Sequence, residues 1–415
     1  MSEKTGSIPS GSVINHGRRR LMAGGATAIA ASMAGLAKAA NTANAPSAPA
    51  AAGKALPPYV AWKDPNAMIV HTGSTLETRR SAFGSSIITP SEQLYIRNNL
   101  PAPDASIVAD RDGWEIAVEG VRNPRTLTVR ELKTMGLETL ATVLQCSGNG
   151  RGYFPSKPSG TAWQVGAAGC VIWSGVPVRV VVEALGGMAD GTAYMTSTGG
   201  EKLPDGIDPK SVMVERSVPK SAMADALLAW EMNGVPIPLA HGGPLRIIVP
   251  GYSGVNNIKY IRRLAFTAEQ TDAAIQRTGY RISPPGQKGD PSQPSVWEMS
   301  VKSWINSPAP ENGPIPAGPV QIKGVAFGGI HAVQGVEVSI DGGKTWQAAK
   351  FVGPDLGRYA WRQFVLAVKL PPGTHTLACR ATDVKGNRQP EERMENAAGY
   401  NNTSWRDHAL NINVV

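Results

Sequence analysis

Along the second half of this chain, apolar and polar residues alternate with a period of two. "VQIKGVAFGG", "VQGVEVSIDGGKTWQAAKF", "YAWRQFVLAVKL" and "GTHTLACRATD" place every second side chain on one face, the pattern of strands with one buried side. Asp341-Gly342-Gly343 supplies a turn between "VEVSI" and "TWQAA". About seven short strands separated by turn signals predict an immunoglobulin-like β-sandwich over residues 301–415.

The preceding region has another texture. "GWEIAVEGVRNPRTLTVRELKT" predicts a strand, a turn at Asn123-Pro124, a second short strand, then a helix capped around Thr128. "AYMTSTGGEKLPDGI" and "PLRIIVPG" read as strands bounded by Gly and Pro, and "ADALLAWEMNG" as a short helix or an apolar strand ending at Asn233-Gly234. Short helices among strands predict an α+β domain with a mixed sheet over residues 59–300. The Pro- and Gly-rich "INSPAPENGPIPAGP" marks a boundary near residues 305–319. Sandwich modules of this kind serve binding or dimerisation more often than chemistry, so the reactive site is expected in the first domain.

The N-terminus belongs to neither region. Arg18-Arg19-Arg20-Leu21-Met22 precedes a weakly apolar Ala/Gly stretch and an "AKA" that suits a small-residue cleavage site, so residues 1–40 resemble a twin-arginine export signal. Residues 41–58 read as a disordered Ala/Pro linker. Twin-arginine export carries folded proteins, which predicts a periplasmic location and a cofactor inserted beforehand. The signal is too rich in Ala and Gly for a membrane anchor. The net charge of +9 falls to +5 without residues 1–40. A mildly basic surface suits an acidic partner or anionic substrate, but no basic stripe of the kind that tracks nucleic acid is present.

Three cysteines occur, at 146, 170 and 379. Cys379 alternates with strand neighbours and reads as core, and Cys170 as the same. Cys146 differs: in "ATVLQCSGNGRGYF" it closes a strand-forming run, enters a glycine-rich loop and is followed five positions on by Arg151. An open backbone and a nearby positive charge favour the thiolate, hence metal binding or nucleophilic chemistry. No His sits in a motif that answers Cys146, which disfavours a cysteine hydrolase. Neither Cys-x-x-Cys-His nor a Gly-x-Gly-x-x-Gly at a strand-to-helix junction occurs, so covalent haem and a dinucleotide are not predicted.

"LQCSGNGR" resembles the cysteine loop of the sulfite oxidase family of molybdenum enzymes, and further stretches match that family in order. They are "YIRNNLPAPD", "WEMNGVPIPLAHGGPLRIIVPGYSGVNNIKYIRRL", "AIQRTGY" and "VSIDGGKTWQ". The resemblance implies a sulfite-oxidase-type molybdopterin domain, with Cys146 as the protein's thiolate on molybdenum and the remaining sulfur ligands from a pyranopterin dithiolene. It implies further that Asn98, Asn99, His241, Arg246 and Lys259 hold the pterin and its phosphate. Arg97 and Arg151 would face the substrate, and Tyr280 would offer its phenol beside the metal.

Two departures from the family pattern bear on substrate. Arg97-Asn98-Asn99 stands where Arg-Asn-His is usual, and in "ENAAGYNNTSW" Ala398 stands where the family places another sulfite-binding arginine. Losing a charge-assisted contact to a small dianion costs about 1.5–3 kcal/mol. The likeness therefore runs toward the molybdenum subunit of the sulfane dehydrogenase of the Sox thiosulfate-oxidising system. That likeness implies a carrier protein bearing a cysteine-linked sulfane, a c-type cytochrome subunit as electron acceptor, and a homodimer through the sandwich. The alternatives are a sulfite dehydrogenase with a cytochrome c acceptor and, from another class, a binding protein without cofactor.

Overall fold

The strand Ala168–Pro177 is apolar on both faces, so both must be covered. The computed structural model, which describes residues 54–101 and 103–415, places it centrally; the export signal lies outside the described residues. It pairs antiparallel with Glu138–Gln145 on one side and Leu227–Met232 on the other. Val171 and Trp173 join a cluster with Tyr95 and Leu144. Their neighbours Ala168 and Cys170 point into another with Val143, Phe83 and Trp304.

The ambiguous "ADALLAWEMNG" is a strand, Leu227–Met232. Leu227 and Ala229 enter one cluster and Leu228 and Trp230 another, a period of two that a helix would scramble. Asn233 and Gly234, with φ of 53° and 79°, form the tight turn into Val235–Pro236.

A second sheet is mixed, as expected. Glu115–Glu119 runs parallel to Ile261–Thr267, while Arg125–Thr128, Tyr194–Gly199 and Glu215–Pro219 add antiparallel neighbours. The helix Val129–Met135 starts at a capping box: Glu131 N donates to Thr128 Oγ1 (3.2 Å) and Thr128 N to Glu131 Oε2 (2.7 Å). A small sheet of Met68–Thr72, Thr75–Thr78 and Ile96–Arg97 completes this region. Residues 54–58, read above as the end of the linker, are placed against it. Leu56 packs on the Val60/Met68 cluster and Lys54 Nζ donates to His71 O, since burying even one leucine favours order.

The C-terminal region is a sandwich of two four-stranded antiparallel sheets around Ile322, Val338, Leu377 and Cys379. Its first strand, Lys302–Ser307, is paired with Gly318–Phe327 and reaches into the sequence read as boundary. Burial pushes the thiols of Cys170 and Cys379 up to about 12, which suits core residues.

Phe83, Trp304, Phe327 and Trp361 pack edge to face at 5.7 to 6.2 Å and join the sandwich to the central sheet. We predict that Trp304→Ala lowers stability by about 3–5 kcal/mol. The check is a denaturant titration of the purified variant; a loss below about 1 kcal/mol would exclude this cluster as the joint.

Candidate active site

The cysteine loop is built by short-range bonds and closed by long-range ones. Cys146 N donates to Ala167 O (2.9 Å), and Asn149 links Ala167 N to Gln145 Oε1. Arg151 then folds back over the loop. A Cβ at Gly148 would lie 2.5 Å from the Arg151 guanidinium, and Gly150, at φ 95°, backs onto His408. Gly148 thus makes room for the arginine, and Gly150 for the approach of Asn402 and His408. Arg151 Nε donates to Ala398 O (2.7 Å) and Nη1 to Thr161 O (3.0 Å), so this arginine is buried and anchored.

The other eight residues singled out above, Arg97, Asn98, Asn99, Cys146, His241, Arg246, Lys259 and Tyr280, all line one cavity. An adjoining cavity shares Arg97, Cys146 and Tyr280 and adds Arg151 and Tyr400. All nine candidates therefore meet around Cys146. Asn98 is buried, its Oδ1 accepting from Lys259 Nζ at 2.6 Å, while Asn99 is exposed on the rim.

The inner wall is rich in positive charge. Lys63 Nζ donates to Ser91 O, Leu94 O and His241 Nε2 at 2.5, 2.6 and 2.8 Å. His241 Nε2 also lies 3.4 Å from Ser91 O, so which partner donates in the Lys63–His241 pair follows from the protonation of the two groups. Arg246 Nη1 donates to His241 O at 2.8 Å, and Lys259 Nζ also donates to Ala240 O at 2.7 Å. Burial, and then repulsion among these cations, holds Lys259 and His241 well below their ordinary ranges. Burial alone brings Arg246 down to about 10 and takes Lys63 far below the usual lysine value, Glu92 opposing weakly. The one carboxylate on the wall, Glu201, is pushed up to about 7 by burial despite Lys259 nearby.

At the mouth, Tyr280 sits at φ 51°, a left-handed backbone uncommon for an aromatic residue. Its ring stacks on Tyr400, centroids 5.1 Å apart and planes within 11°. The buried Arg216 lies 5.6 Å from the other ring centroid, that of Tyr280, and donates to Ile275 O and Val296 O on either side of the segment carrying Tyr280.

The chemistry is not confined to the first domain, contrary to the expectation above. Lys302 Nζ donates to Asn149 O (3.1 Å), Asn401 N to Ser147 O (2.9 Å) and Asn402 Nδ2 to Gly150 O (3.0 Å), so the C-terminal region clasps the cysteine loop. Lys63, Glu201 and Tyr400 were not singled out from the sequence. Lys63 and Glu201 sit in no motif, Tyr400 lies in "ENAAGYNNTSW" without being read there as a site residue, and Lys63 reaches His241 across 178 residues.

These groups fit an anionic, sulfur-rich cofactor. Buried cations with one carboxylate among them call for negative charge from outside the chain. Ser147 Oγ, buried beside Cys146 on the cavity wall, has no partner among the described residues. No group of three or more His, Cys, Asp or Glu gathers among the described residues, so a metal at Cys146 must bring most of its own ligands. A pyranopterin dithiolene does so. Fold and site together define a molybdopterin-dependent oxidoreductase.

Comparisons with known proteins agree. Residues 101–275 match the oxidoreductase molybdopterin binding domain and residues 293–414 the Mo-co oxidoreductase dimerisation domain. The chain is 30% identical over 335 residues to the sulfite oxidase of Gallus gallus, covering 77% of this chain and 72% of that protein. It is 30% identical over 364 residues to the sulfite oxidase of Arabidopsis thaliana, covering 81% and 91%. The chain belongs to the sulfite oxidase family, whose cofactor is molybdenum on molybdopterin. It spans 62% of the human mitochondrial enzyme's length and 39% of that of the Hordeum vulgare nitrate reductase, which it matches at 30% identity. The crystal structure of the sulfane dehydrogenase SoxCD from Paracoccus pantotrophus shares the fold, with a TM-score of 0.69 and 23% identity, covering 83% of this chain and 89% of that one.

One titration follows. Between pH 4.5 and 7 the folded chain keeps a proton on Glu201 that the unfolded chain has released, so this group removes stability as pH rises through that window. Cofactor-free Glu201→Gln protein is expected to lose less stability across the window than the unaltered protein. Denaturant titrations at several pH values check this, and parallel stability curves would refute it.

Proposed function

We propose that this oxidoreductase works in the periplasm, oxidises a sulfane sulfur carried on the cysteine of a partner protein, and passes the electrons to a c-type cytochrome. Position 398 carries the reading. Ala398 offers only a backbone carbonyl, taken up by Arg151, where the family pattern has an arginine. The likeness to a protein described as a sulfane dehydrogenase supports the same substrate class. A match to a dimerisation domain supports a homodimer. No helix among the described residues is long and apolar enough to cross a membrane.

In this reading Cys146 holds the metal through its thiolate. Arg246, Lys259 and His241, with Asn98 and Asn99, would hold the pterin and its phosphate from a wall already short of negative charge. When bound, the cofactor supplies two-electron oxygen-atom transfer to sulfur, the oxygen coming from water with release of two protons. Arg97 and Arg151 would be placed to pair with an oxyanion on the oxidised sulfur. Arg151 is suited to this because two backbone carbonyls fix its guanidinium in advance. Tyr280 offers a phenol donor into the same space.

A free sulfite dianion meets two arginines here rather than three, whereas a tethered sulfur needs less charge and more room. With molybdenum-loaded enzyme, we expect cytochrome c reduction to be fast with a persulfide-loaded carrier protein and slow with sulfite. Fast turnover of sulfite alone would make this a sulfite dehydrogenase. Restoring charge with Ala398→Arg is expected to lower KM for sulfite about tenfold or more. An unchanged sulfite KM at full molybdenum content would contradict this account of the pocket.

A further inference from the structure

The mouth cavity has an aromatic wall that the cofactor-holding residues do not explain. Tyr400 lines it together with Cys146, Arg97, Arg151 and Tyr280. It lies second after Ala398, on the segment where the family's additional arginine is replaced. Its ring is held by two neighbours, Tyr280 stacked in parallel at 5.1 Å and the Arg151 guanidinium 5.3 Å from its centroid. The backbone is held as firmly. Tyr400 N donates to Asn396 Oδ1 (2.8 Å), Asn396 Nδ2 donates back to Tyr400 O (2.9 Å), and the next residue, Asn401, donates to the carbonyl of Ser147 beside Cys146.

Such a ring acts differently on different sulfur substrates. An aromatic face carries a negative quadrupole and gives a free dianion nothing that a guanidinium would. Divalent sulfur and its attached carbon, by contrast, pack favourably against a ring, often at its edge. Being fixed, the ring adds this contact without an ordering cost at binding.

We propose that Tyr400 is a specificity-determining residue that selects sulfur attached to carbon, as in an alkyl persulfide, over free sulfur oxyanions. The proposal rests on the sulfane reading above and names the contact that implements it. Tyr400 works with Tyr280 as a two-ring platform beside the Arg151 guanidinium.

The test compares kcat/KM for glutathione persulfide and for sulfite in molybdenum-loaded wild type, Tyr400→Leu and Tyr400→Phe, each normalised to molybdenum content. Tyr400→Leu is expected to lose about tenfold for the persulfide, chiefly through KM, while sulfite changes less than about threefold. Tyr400→Phe keeps the ring and is expected to stay within about twofold of wild type for both. Equal losses on the two substrates, or no loss for the persulfide in Tyr400→Leu, would overturn the role of Tyr400 while leaving the sulfane reading in place. Wild type that oxidises sulfite but not the persulfide would overturn that reading and this inference together.

Discussion

Positive charge buried faster than it is neutralised is the constraint around which this molecule is organised. His241, Arg246 and Lys259 line one wall, Lys63 reaches His241 from behind it, and among the described residues that wall contributes a single carboxylate, Glu201. Burying such charge is costly unless an anion of matching shape completes it. A pterin phosphate and dithiolene do so. The central sheet, the mixed sheet and the small N-terminal sheet are the frame that brings these side chains, from distant parts of the first domain, to one place.

The cysteine loop supplies the other half of the site and depends on both domains. Its Gly148 accommodates Arg151, and its carbonyls are taken by Lys302, Asn401 and Asn402. The sandwich is thus a wall of the site as well as a dimerisation module by family match. A change in the 396–402 segment reaches Cys146 through one hydrogen bond, Asn401 N to Ser147 O, and one residue of chain. That gives a physical route by which a family with one cofactor chemistry alters its substrate.

What was legible in the sequence was what is local. The capping box at Thr128 and Glu131 lies within four residues, and the hairpin at Asn233-Gly234 needs only its own dihedrals. The setting of Cys146 is legible because Gly148, Gly150 and Arg151 adjoin it. The segment 227–232 stayed ambiguous because a short apolar run satisfies helix and strand alike until its neighbours assign each face. Lys63 and Glu201 left no local trace, and Tyr400, though within the segment read for Ala398, acquires its role from Tyr280 and Arg151 far along the chain. The share of the sandwich in the site was hidden for the same reason.

Molybdenum X-ray absorption on the purified protein, beside metal and pterin analysis, tests the central claim most directly. The account predicts one molybdenum and one pterin per chain, and a sulfur scatterer that disappears in Cys146→Ala while the pterin stays bound to the cationic wall. An unchanged sulfur shell in Cys146→Ala, or a protein that carries no pterin after expression in a host that makes it, would contradict the account.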